Sequence, residues 1–163
     1  MNKRFASIIL IVVLSSTSAL FAGAAASPNK LIEEAKKEAG EIEPAVLKAM
    51  VDKEEEVIIL DVRESEQRSE GNIYTGEMYV DDTHAITRGN LEFDVGEKIQ
   101  DKDAVIVTYC RSGGRGVLAA QTLRHLGYKN ATNLKGGLKG WAKAGYPIET
   151  GLGLTILNKG SKK

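Results

Sequence analysis

Cysteine is nearly missing from this chain: among 163 residues there is one, Cys110. A lone thiol cannot pair within its own chain, which excludes a disulfide-stapled miniprotein. An excess of either charge is missing too, since 22 Lys and Arg stand against 22 Asp and Glu. That balance argues against a protein whose main work is gripping nucleic acid, which carries a basic excess. No internal repeat is present. With 42% hydrophobic and 27% charged residues, composition argues against disorder over most of the chain as well. What remains is a single globular domain, long enough to bury a sizeable core.

The amino-terminal end lacks acid, the first acidic residue being Glu33. Lys3 and Arg4 give a short positive start, and Phe5 to Leu14 is an almost unbroken apolar run. Small residues then cluster from Ala22 to Ser27. This is the order of a secretory signal peptide, with cleavage expected after Ala26 and Ala24 as the second choice. The apolar run is short for a membrane span, so an uncleaved anchor is the weaker reading. No cysteine follows it to take a lipid. Residues 1–26 are thus expected to direct export, to the periplasm or beyond the cell, leaving no stable membrane span. In an oxidising compartment a single unpaired thiol calls for an explanation: it is either a buried, inert residue or a nucleophile.

Residues 27–41 read as a helical extension outside the main core, with Asn29 to Ala39 polar and helix-prone and Gly40 ending the run. Residues 42–149 read as the domain, and 150–163 as a frayed tail with an apolar segment, Leu152 to Leu157, docking on the body. Pro44 suits a first helical turn, followed by Val46, Leu47, Met50 and Val51 at helical spacing. Val57-Ile58-Ile59-Leu60 and Ala104 to Tyr109 are continuous β-branched runs, as expected of strands buried on both faces of a parallel sheet. Val117, Ala120, Leu123 and Leu126 predict a helix closed by Gly127. Asn130 to Leu134 predicts a short strand and Leu138 to Ala144 a helix. Between Gly71 and Gly96 the pattern is mostly loop, with one short helix near Leu91. Alternating strands and helices predict an α/β fold.

One loop carries a chemistry. Cys110-Arg111-Ser112-Gly113-Gly114-Arg115-Gly116 lies between a buried strand and a helix, and ligand sites form at the carboxyl ends of strands in such sheets. Glycine-rich backbone N–H groups, a helix N-terminus and two arginines all favour a thiolate there. The same donors make an anion cradle beside the nucleophile. An RNA-binding arginine–glycine segment would need a low-complexity neighbourhood, which the flanking strand and helix deny it.

These residues resemble the rhodanese-like sulfurtransferases. The active loop of that family is a six-residue ring opening with cysteine, which Cys110 to Arg115 matches in length and composition. Asp61-Val62-Arg63-Glu64 resembles its first signature, and Arg88 to Phe93 the segment before its central strand. Leu134-Lys135-Gly136-Gly137-Leu138-Lys139-Gly140-Trp141 resembles its closing signature, ending in Gly145-Tyr146-Pro147. The likeness covers about Ile42 to Glu149. One stretch departs: Gly71-Asn72-Ile73-Tyr74-Thr75-Gly76 replaces the family's glycine-histidine-isoleucine-proline-glycine turn, and extra residues precede Arg88.

The resemblance implies a three-layer α/β fold with a central, mostly parallel sheet flanked by helices. It also implies catalysis by Cys110, which takes sulfur from a donor such as thiosulfate or polysulfide as a persulfide. An acceptor, cyanide or a thiol, then removes it. Arg111, Ser112, Gly113, Gly114, Arg115 and Gly116 are expected to bind the donor, with no metal and no organic cofactor. Asp61 and Arg63 are expected to support the loop through a buried ion pair that includes Arg88. The implied partners are small sulfur anions and a sulfur-accepting protein, not nucleic acid. A persulfide carrier with little turnover is the first alternative. A phosphatase or arsenate reductase of the same fold is the second; their loops carry one more residue between cysteine and arginine. His84, in the divergent loop, and His125 read as surface residues, and Trp141 as core. Asn130-Ala131-Thr132 is read as a chance match to a glycosylation acceptor.

Overall fold

The computed structural model describes residues 26–74 and 85–156. The expected signal segment (all but Ala26), His84, most of the divergent loop and the last seven residues lie outside the described residues. A helix α1 (Pro28–Ala39) is followed by strand β1 (Glu41–Ile42), helix α2 (Pro44–Asp52) and strand β2 (Ile58–Asp61). Next come a one-turn helix α3 (Ser65–Arg68), strand β3 (Asn72–Ile73), a 3₁₀ turn (Arg88–Asn90) and helix α4 (Leu91–Lys98). The second half holds β4 (Ile106–Tyr109), α5 (Gly114–His125), β5 (Ala131–Leu134), α6 (Gly137–Lys143), β6 (Ile148–Thr150) and β7 (Gly153–Thr155).

The main sheet is parallel throughout, in the order β1-β5-β4-β2. Asp61, the last residue of β2, also bridges to Ala85 in parallel. A smaller antiparallel sheet runs β3-β6-β7. Side chains of a strand alternate between faces, so each central strand feeds two cores. Ile106 and Cys110 face one core with Leu91 and Val95 of α4 and Ala119 and Leu123 of α5. Val107 and Tyr109 face the other, with Leu47 of α2 and Leu138 and Trp141 of α6. This double burial is why the strands read as continuous apolar runs rather than alternating ones. Trp141 is fully buried as expected, and its indole N–H donates to the Pro147 carbonyl at 2.8 Å.

Two expectations are corrected. The amino-terminal helix does not stand apart: Ala35 and Ala39, one helical turn apart, are fully buried, and α1 packs along α5. The small side chains let the two backbones approach, and β1 then adds an edge strand to the sheet, which the sequence pattern did not suggest. The apolar stretch near the carboxyl end does not dock by its side chains. It pairs as β7 through backbone hydrogen bonds, and Leu152, Leu154 and Ile156 stay exposed. Among the described residues, no helix is long and apolar enough to cross a membrane.

Candidate active site

Cys110 follows β4 directly, at the carboxyl end of the central strand, and is 2% exposed. Its sulfur accepts a hydrogen bond from the Gly113 N–H at 3.2 Å, so the loop closes on its own nucleophile. Gly113 has φ +100°, a conformation open to glycine at little cost, and it turns the chain into α5. Among the described residues, the N–H groups of Gly114, Arg115 and Gly116 have no acceptor, as expected for the first turn of a helix. Together with the Gly113 N–H they form a backbone donor array beside the thiol, suited to an anion. Ser112 and Arg111 are exposed on its rim.

The loop is clamped from outside by the Gly136-Gly137 turn. Leu138 N–H donates to the Cys110 carbonyl at 2.9 Å, and Lys139 N–H to the Arg111 carbonyl at 3.0 Å. The contact is backbone against backbone: a Cβ on Gly137 would stand 2.3 Å from the Cys110 oxygen and 2.9 Å from the Gly113 nitrogen. Gly137 also has φ +57°. From below, the Thr108 hydroxyl donates to the Gly116 carbonyl at 2.8 Å, with the Thr132 carbonyl 3.1 Å away as the alternative acceptor, so that it bridges β4, α5 and β5.

The two loop arginines do not face the cradle as free charges. The Arg111 Nε donates to Glu70 at 2.9 Å, and Arg115 donates to the Gln67 amide oxygen at 2.5 Å with Glu64 3.8 Å away. Acceptors in and beside α3 thus offset both guanidinium groups, and the anion-holding capacity rests chiefly on backbone N–H groups. Sequence reasoning passed over Glu64, Gln67 and Glu70 as site neighbours; they lie more than forty positions away, and only Glu64 falls in a quoted motif, where nothing ties it to Arg115.

Asp61 and Arg63 form a buried pair behind the site. Arg63 is fully buried, and its Nη2 reaches Asp61 Oδ2 at 2.6 Å while its Nε donates to both carboxylate oxygens at 2.9 and 3.0 Å. The remaining donors go to the carbonyls of Gln67 at 3.0 Å and Gly71 at 2.9 Å and to the Asn72 side chain at 2.8 Å. Every part of the guanidinium fork is used, which is the condition under which a buried charge is tolerated. Burial works against the Arg63 charge, yet hydrogen bonding and the charge of Asp61 outweigh it and hold the group above its ordinary pKa. Tyr109 lies beside the pair, its ring centroid 5.4 Å from the Arg63 guanidinium carbon. Burial, then the negative charge of Asp61, push the Tyr109 phenol pKa up.

Arg88 is not a third member of that pair. It bonds Glu92 at 3.0 and 3.1 Å and the Thr122 hydroxyl at 2.9 Å, tying the 3₁₀ turn to α4 and α5. The arginine that meets Arg63 is Arg68, whose Nη2 donates to the Arg63 carbonyl at 3.0 Å. The resemblance could not separate the two, because Arg88 enters through a loop whose path the sequence does not reveal. His125 is exposed and rests on Glu38 of α1. Among the described residues, no group of His, Cys, Asp and Glu is arranged to hold a metal ion.

Residues 43–144 match the sequence model of the rhodanese-like domain. A sulfurtransferase of Allochromatium vinosum is 33% identical over 94 residues, 58% of this chain and 79% of the relative. A putative sulfurtransferase of Bacillus subtilis is 36% identical over 103 residues, 62% of this chain and 88% of the relative. A solved structure from Rhodopseudomonas palustris, described as a possible tyrosine phosphatase, superposes with a TM-score of 0.65 at 27% identity. That match covers 77% of this chain and 96% of the other.

Proposed function

The chain belongs to the rhodanese-like family, and on that premise we propose that it moves a sulfane sulfur through a persulfide on Cys110. The Cys110 thiolate gives its electron pair to the outer sulfur of thiosulfate. The sulfur–sulfur bond of the donor breaks, and sulfite leaves with the bonding pair. Cys110 then carries an anionic outer sulfur, which a thiolate or cyanide attacks, returning Cys110 as thiolate. Two transfers through one covalent intermediate give ping-pong kinetics. Polysulfide presents the same kind of sulfur and enters by the same step.

The observation that carries this reading is the seat of Cys110. Its sulfur accepts from Gly113 N–H, with the unused N–H groups of Gly114, Arg115 and Gly116 alongside. Donor, persulfide and sulfite are all anions, and fixed donors stabilise each without reorganising. Arg111 and Arg115, half-offset by Glu70 and Glu64, draw the donor to the rim rather than clamp it. The acceptor is a small thiophile or a sulfur-accepting protein. We place the protein outside the cytoplasm, on the signal-like order of residues 1–26.

The resemblance to a possible tyrosine phosphatase gives a second reading some support. Against it stands the ring size: four residues separate Cys110 from Arg115, one fewer than in the phosphatases of this fold. The deciding measurement is the intact mass of the protein before and after thiosulfate, beside Cys110→Ser. A gain of one sulfur, lost on adding cyanide and absent from the variant, is expected. No gain with thiosulfate or polysulfide overturns the sulfur reading and turns attention to phosphate esters and arsenate. A persulfide that forms but passes only slowly to cyanide marks a carrier. The unmodified mass reads directly whether residues 1–26 are removed.

A further inference from the structure

Beneath the active loop lies a polar side chain that the chemistry above does not use. Asn133 of β5 is fully buried, and its Nδ2 donates to Glu41 Oε1 of β1 at 2.7 Å. Its Oδ1 is buried and, among the described residues, has no hydrogen-bond partner. An ionised carboxylate only accepts, so Glu41 dictates which end of the amide turns toward the loop: the bare oxygen. That oxygen stands 2.2 Å from the point a Cβ on Gly116 would occupy, and Nδ2 stands 3.6 Å from the corresponding point on Gly113. Asn133 therefore lies under both glycines that frame the donor array, one of which donates to the Cys110 sulfur.

A buried acceptor without a donor is costly, and a leucine would fill the same space without that cost. Orientation is what asparagine adds. An oxygen carries no hydrogen and can lie against the Cα of Gly116, a contact of the weak Cα–H···O kind. With the amide turned over, an NH₂ group would stand there and push the first turn of α5 off β5. From these contacts we infer that Asn133, oriented by Glu41, is a positioning residue that keeps the N–H donors of the first turn of α5 seated beside Cys110. The device draws on chain outside the matched domain: Glu41 precedes residue 43, and Lys36 of α1 sits 4.0 Å from its other carboxylate oxygen. On the neighbouring side, Ile32 of α1 lies 3.4 Å from where a Cβ on Gly114 would be. The inference rests on the sulfur-transfer reading only in that the cradle holds an anion.

The test uses sulfate, which offers no sulfur to transfer. Sulfate is titrated against alkylation of Cys110 by iodoacetamide in the full chain, and the half-protecting concentration is compared for the native protein, Glu41→Leu and Asn133→Ala. Glu41→Leu fills its own space and removes the acceptor that sets the amide, together with the long contact to Lys36. Both variants are expected to need about tenfold more sulfate, a partial loss beside the roughly hundredfold that a 1 Å misplacement can cost. In thiosulfate turnover the rise should fall in KM more than in kcat, with circular dichroism unchanged. Protection of Glu41→Leu at the native sulfate concentration overturns the inference, since space-filling alone would then explain Asn133. So does a native protein that sulfate never protects. Native protection without persulfide formation would instead remove the sulfur-transfer reading and leave this one standing. Glu41, at a partly exposed edge, keeps the test open if Asn133→Ala fails to fold.

Discussion

At the scale of single residues, the site is built by side chains that are missing as much as by those present. Gly137 touches the Cys110 carbonyl where a methyl group cannot fit. Gly137→Ala should shift the loop and lower sulfur transfer at least about tenfold while leaving the fold intact, read by initial rates beside the thermal midpoint. Asp61 works by a different principle. Removing it in Asp61→Ala leaves Arg63 as a buried charge without its counter-ion. The expected loss is about 3–5 kcal/mol in urea denaturation. Tyr109 supplies a pH signature. Its phenol pKa is raised in the folded protein by burial and then by Asp61. Its contribution to stability is therefore full below the ordinary tyrosine pKa of about 10 and is lost as pH rises through the folded value. Above about pH 10 the native protein should lose, increasingly as pH rises, denaturation free energy that Tyr109→Phe retains, once the shared alkaline loss is subtracted.

Elements divide the labour of holding one loop. β4 delivers Cys110, α5 supplies free N–H groups, and the first turn of α6 fastens the loop by two backbone hydrogen bonds. α3 sets the charge around the arginines, and β1 with β5 forms the floor. The least obvious contributor is α1. Ser27 caps it by accepting from the Lys30 N–H at 3.3 Å, Pro28 opens it, and Gly40 closes it. Its alanine face lies against α5, the helix that begins at the active loop. Ala35 is fully buried, so Ala35→Leu overpacks that contact at a cost of about 1–3 kcal/mol. The expected result is faster hydrogen exchange along α1 and in the first turn of α5, with β2 and β4 unaffected. Uniform acceleration would show that α1 is not a separate layer of stability.

For the whole molecule, the governing fact is that the sheet has two cores and, among the described residues, no buried side chain belongs to both. Ile99 lies in the core under α4 and α5, Ile148 in the one under α2 and α6. Each Ile→Val change should cost about 0.5–1.5 kcal/mol. Because the sites share no partner, the double variant should equal their sum within about 0.5 kcal/mol in denaturant unfolding. A larger departure would mean the sheet transmits packing strain between its faces.

The order of strands and helices was legible in the sequence because double burial writes itself as unbroken β-branched runs, in Ile58 to Leu60 and Ala104 to Tyr109. The placement of Cys110 was legible for the same reason, since a glycine-rich turn sits between such a strand and a helix. The two-residue β1 and the carboxyl-terminal β7 were not. A strand that short has no periodicity, and its existence depends on a neighbour offering an open edge. Nor could the sequence pair its charges. Arg63 with Asp61 is local, two positions apart, and the family resemblance reached it. Arg111 with Glu70, Arg115 with Gln67, and Asn133 with Glu41 join residues 41, 48 and 92 positions apart. Chemistry residing in short-range backbone geometry was written in the chain. The balance of charge around it and the floor beneath it were decided by the fold, because only a packed sheet brings such distant side chains within hydrogen-bonding distance.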